Sequence, residues 1–297
     1  MEVGELSVRR QEVGGDVAGK VKVIGAVSPY GRRQVVVLIH GYANDQPTAS
    51  GSFQACINNL LALPGPASTG LPSPFFKFYW PGDTRLRWFS KLSYPWEITP
   101  AVDSAARLAD FVAGLSGPGG TPVDVHLIAH SLGSRLALEM LAHFVNRGLG
   151  SVLFRSVTLM AGAVPVRKVE DPRQLLRAAL VPDRRQALCS TSDNVLHWAF
   201  PIGETCAGEG FFPEAVGRFG NPSGIWSRRQ SMSGYGHGDY WPNPLTAPQL
   251  ANILGAPVAV PMAENVIPER QATTNNPLPT TAPAERSLQS RSLPGAP

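Results

Sequence analysis

The stretch VDVHLIAHSLGSRLALEML, from Val123 to Leu141, joins two incompatible periodicities, and it constrains the fold more than any other part of the chain. Its first half is a short apolar run of the kind that fills a strand covered on both faces. Its second half is rich in strong helix formers and predicts a helix over Leu132–Asn146. A strand that passes straight into a helix belongs to a strand–helix–strand unit, and so to a parallel sheet. Ser131 stands at the junction between two small residues, Ala129 and Gly133. There its hydroxyl lies at a helix amino terminus, where free amides and the helix dipole favour negative charge. Helix N-cap is the simpler role open to the same serine.

The rest of the chain repeats this alternation. Strands are predicted at Val35–Ile39, Phe75–Trp80, Val123–Ile128, Ser156–Met160 and Arg185–Ser190, and a further helix over Ala101–Leu115. The expected fold class is α/β, a mostly parallel central sheet flanked by helices on both faces. Residues 165–185 read as charged and helical, a place for a small helical lid. Residues 1–20 are weakly patterned and read as an N-terminal extension, although Val21–Val27 alternates like an edge strand. The catalytic domain is expected over 21–263. From 264 to 297 the chain turns to Pro, Thr, Ser and Ala, the composition of a disordered tail.

Composition narrows the function. With 43% hydrophobic residues among 297, an ordinary globular domain with a sizeable core is expected. A net charge of +4, spread along the chain, gives no footprint for nucleic acid. The Arg9–Arg10, Arg32–Arg33, Arg184–Arg185 and Arg228–Arg229 pairs read as solvated surface. The three cysteines, Cys56, Cys189 and Cys206, have no metal-like spacing and cannot all pair with one another. No apolar run reaches the length of a membrane span, and the first residues lack the apolar core of a secretory signal, so a cytoplasmic location is expected.

The Ala129–Gly133 junction resembles the nucleophile elbow of the α/β hydrolases, in which a strained turn crowds the neighbours of the serine. Glycine is usual where Ala129 stands. VLIHGY, FYWPGD, STSDNVL and GYGHGDYW extend the resemblance over Val35–Trp241, to a bacterial lipase-like group of unknown function. Membership implies a triad in the order Ser, acid, His. The base must then be His143, His197 or His237, and His237, in a glycine-flanked loop, is the choice. Asp193 follows a short strand-like run and would sit at the carboxyl end of a core strand, which makes it the acid. Asp183, before two arginines, is its rival, and Asp239 caps the next turn or orients the histidine loop. Leu132 NH is one expected oxyanion donor and Tyr42 NH the other, with Ala43 as its alternative. His40 and His130 read as structural.

The resulting expectation is a serine hydrolase acting on a carboxylic ester or related acyl bond of a small-molecule or lipid substrate, with neither cofactor nor metal. An acyltransferase or thioesterase would use the same triad. A catalytically silent interaction scaffold is the alternative outside enzymes. Aromatic residues of FYWPGDTRLRWFSKLSYPW could line an acyl pocket or simply pack between sheet and helix. No segment speaks to oligomeric state.

Overall fold

The alternation of apolar runs and helix-period segments is realised, among the described residues, as eight strands in one sheet. The computed structural model describes residues 1–11, 16–82, 94–148 and 152–255. The strands are β1 (Val3–Arg9), β2 (Val17–Ile24), β3 (Gln34–Ile39), β4 (Phe75–Tyr79), β5 (Val123–His130), β6 (Val152–Met160), β7 (Arg184–Cys189) and β8 (Arg228–Ser231). They lie in the order β2-β1-β4-β3-β5-β6-β7-β8. Only the β1–β2 pair is antiparallel; every other neighbouring pair is parallel.

Near-continuous burial of β3, β4 and β5 reflects helices on both faces. One face carries α1 (Gln46–Leu61), α2 (Pro66–Thr69) and α9 (Thr246–Leu254); the other carries α3 (Tyr94–Ala113) and α4 (Leu132–Arg147). Shorter helices α5 (Val166–Glu170), α6 (Leu176–Ala179), α7 (Phe200–Cys206) and α8 (Val216–Phe219) lie between β6 and β8. Helix α1 shows how local sequence sets an element. Asp45 caps it by accepting from Thr48 N at 2.9 Å, and Ala49, Phe53, Cys56, Ile57 and Leu60 form its buried stripe.

All five predicted strands and both predicted helices are present, α1, α9 and β8 stand beside them unpredicted, and three expectations need correction. Residues 3–9, expected in the N-terminal extension, form β1, an interior strand between β2 and β4. Its alternation, Glu5-Leu6-Ser7-Val8-Arg9, is short and carries only two large apolar residues, Leu6 and Val8. Helix α3 starts before Pro100, where a boundary is natural because proline lacks an amide donor. Burial of Ile98 and Ala101 on either side of the proline outweighs that lost bond. Finally, of residues 165–185, expected as a lid, 165–183 belong to the crossover from β6 to β7 and Arg184 and Arg185 open β7. The helices of the crossover are short, and α6 packs against α4 on its way to the amino end of β7. The longer excursion comes one connection later, between β7 and β8. The tail expected over 264–297 and the aromatic stretch over 83–93 lie outside the described residues.

Candidate active site

β5 ends at His130 and α4 begins at Leu132, so one residue makes the whole turn between them. Ser131 makes it with φ 53° and ψ −127°, a left-handed conformation costly for a side chain. Backbone bonds hold it there: Ser131 N donates to Met160 O at 2.9 Å, and Ser131 O accepts from Ala163 N at 3.1 Å. The requirement for a small neighbour is steric, since a Cβ on Gly133 would stand 2.3 Å from His40 O. Ala129 is fully buried beneath the turn.

β7 ends at Cys189, and the loop beyond it carries Asp193 at the same carboxyl edge. Its side chain is wholly buried. One oxygen accepts from Leu196 N at 3.0 Å, and the other lies 2.7 Å from His237 Nδ1. His237 Nε2 lies 2.8 Å from Ser131 Oγ. A continuous hydrogen-bonded run thus joins three side chains from three separate loops, and a proton can pass from the hydroxyl to the ring while the carboxylate holds the far nitrogen.

Of the three histidines after Ser131, His237 is the one that reaches its hydroxyl. His143 lies far along α4, and His197 lies against Trp198, the rings tilted at 44° with centroids 4.3 Å apart. Asp183 sits at the opposite end of β7 and pairs with Arg155 at 3.0 Å, as a surface aspartate would. Asp239 accepts from Gly236 N at 2.7 Å and so shapes the histidine loop.

Leu132 opens α4, so its amide lies next to Ser131 and ahead of the helical hydrogen-bond ladder. On the other side, Gly41 brings the β3 loop close: a Cβ there would lie 2.6 Å from Ser131 Cβ. Tyr42 follows it. The amide of Ala43 donates to Gly82 O at 2.7 Å, which removes the alternative donor weighed for this loop.

His40 ties that loop down. Its Nδ1 donates to Gly41 O at 2.8 Å, its Nε2 accepts from Trp80 N at 3.3 Å, and its ring stacks on Trp80. Burial, chiefly, pushes its pKa down to about 3. Ser190 was missed by sequence reasoning. Its hydroxyl donates to Tyr235 O at 2.7 Å and accepts from Ser192 N at 3.2 Å, linking the aspartate loop to the histidine loop. Nothing in its sequence neighbourhood marks that contact, which spans 45 residues. Among the described residues, no cluster of three or more His, Cys, Asp and Glu could hold a metal ion. No described helix is long and apolar enough to cross a membrane.

A parallel sheet whose central strand ends in a strained serine turn, with acid and histidine on later loops, is the architecture of the α/β hydrolases. The chain belongs to one of their families: residues 18–204 match the family described as "Alpha/beta hydrolase of unknown function (DUF900)". No curated protein matches the chain. Among solved structures, an esterase from Pyrobaculum calidifontis is similar at 13% identity and a TM-score of 0.43, over 76% of each chain. Acyl-protein thioesterase 2 from Zea mays is similar at 16% identity and a TM-score of 0.39, over 76% of this chain and 95% of that one.

Proposed function

We propose that the protein is a serine hydrolase that cleaves a carboxylic ester or a related acyl bond. The observation that supports this most is the unbroken run from Asp193 through His237 to Ser131, at 2.7 and 2.8 Å. Ser131 Oγ attacks the acyl carbon as its proton moves to His237 Nε2, and Asp193 steadies the imidazolium through Nδ1. The charge on the former carbonyl oxygen is taken up by Leu132 NH and Tyr42 NH, and His237 then protonates the departing alcohol. Water, deprotonated by the same ring, splits the acyl-enzyme and frees the acid and Ser131. With a thiol as leaving group, or an alcohol in place of water, the same groups serve a thioesterase or an acyltransferase.

A fluorophosphonate probe tests the reading. Labelling of the wild type that disappears in Ser131→Ala is the expected result. A wild type that resists several such probes and hydrolyses no p-nitrophenyl ester would leave the scaffold role in its place.

A further inference from the structure

His130 is a buried polar group at this edge that the mechanism does not use. It is 5% exposed, and its ring crosses to the histidine loop: Nε2 lies 2.7 Å from the main-chain carbonyl of His237. The two rings stand 5.0 Å apart, with Tyr240 and Trp241 packed at 5.9 and 6.1 Å. A carbonyl only accepts, so the proton of His130 sits on Nε2. Nδ1 is then the bare nitrogen, and it is buried without a hydrogen-bond partner. It faces the β3 loop, where a Cβ on Gly41 would lie 3.1 Å away. The ring is thus wedged among the three segments that build the site: its own elbow, the β3 loop and the histidine loop. Burial above all, with His237 beside it, pushes its pKa down to about 3, so it stays a neutral donor at ordinary pH.

The bonds from Ser190 to Tyr235 O and from Gly236 N to Asp239 fix the flanks of the histidine loop. At residue 237 itself, the backbone is held by His130.

We propose that His130 is a positioning residue: by donating from Nε2 to the carbonyl of His237, it fixes the loop that holds the His237 ring between Asp193 and Ser131. The kinetic consequences rest on the hydrolase reading, whereas the structural one stands by itself. Two readouts therefore separate them. The first is the low-field proton NMR signal of the His237 Nδ1–H bound to Asp193, which needs no substrate. The second is turnover of a p-nitrophenyl ester.

His130→Phe keeps a ring and removes the donor; His130→Gln returns a side-chain amide donor. In His130→Phe the low-field signal should broaden or vanish, and kcat should fall about 100-fold, as a misplacement near 1 Å can cause. KM should stay within about two-fold, because substrate binding is untouched. His130→Gln should regain the signal and most of the turnover. If His130→Phe does not fold, His130→Met, donor-free and similar in length to glutamine, gives the same contrast. An unchanged signal in the donor-free variants, or a glutamine variant as impaired as they are, would overturn the assignment. A wild type without turnover whose signal still depends on His130 would remove the hydrolase reading and leave the positioning role standing.

Discussion

The segments that carry Ser131 and Asp193 meet the same imidazole, yet they are held in different ways. Around Ser131 the constraint is backbone against backbone. The turn is bonded through its amide to Met160 at the end of β6 and through its carbonyl to Ala163 just beyond it, and His40 O leaves no room for a side chain on Gly133. Around Asp193 the constraint is a buried carboxylate, with the Ser190 hydroxyl tying its loop to the histidine loop, in a segment whose outer face is open. Val195, Trp198 and Ile202, spaced to share a helical face, are 44, 65 and 45% exposed, and Phe211 beyond them is 86% exposed. Backbone packing fixes Ser131 closely, whereas Asp193 is fixed mainly from within. The first region should therefore resist almost any change, and the second should tolerate change a few residues from its functional group.

The sharpest break is chemical. Ser131→Ala should lower turnover by about a million-fold with folding intact, checked by ester hydrolysis beside circular dichroism. Asp193→Asn should cost about 10,000-fold in kcat by favouring the wrong tautomer of His237; near wild-type rates would move the acid to another residue.

Acid titration probes three buried neutral histidines, two beside the elbow and one midway along β5. His40 and His130 are pushed down to about 3 and His126 to about 4, each mainly by burial. Unfolded histidines protonate near ~6.5, so below that pH the unfolded chain binds more protons and stability falls as pH falls. With three such groups, the unfolding free energy should drop by about 4 kcal/mol per pH unit between roughly pH 6 and 4 in urea titrations. A flat profile there would mean that these rings are not neutral in the fold.

Two substitutions then test the asymmetry directly. Gly133→Ala puts a methyl group into a carbonyl oxygen and should cost about 1–3 kcal/mol, with turnover falling as the elbow shifts. Phe211→Ser, on the open face, should change the urea midpoint by less than about 0.5 kcal/mol equivalent. Equal effects at the two positions would erase the distinction.

Much of the site could be read from the sequence because its signals are local. The strand-to-helix switch at Ser131 and the small residues around it lie within one short segment, and β7 followed by Asp193 is a strand end of ordinary kind. What escaped reading depends on partners far along the chain. β1 was hidden because its alternating run is short, and pairing with β2 and β4 on both sides is what secures it as a strand. Short helices after β6 read as a lid because helical composition does not say which surface a helix packs on.

The amino-acid order alone determined the strands β3 to β7, the helices α3 and α4, the turn that presents the serine, and a short set of acids and histidines to accompany it; α1 was not among the elements read. Hydrophobic period, residue size and turn chemistry act over a handful of neighbours and need no further information. Tertiary structure decided the strand order, the carbonyl that His130 grips, the hydroxyl of Ser190 that links two loops, and the meeting of three side chains within hydrogen-bond reach. Those distances are set by how helices seat on both faces of a twisted sheet, and no single segment contains them.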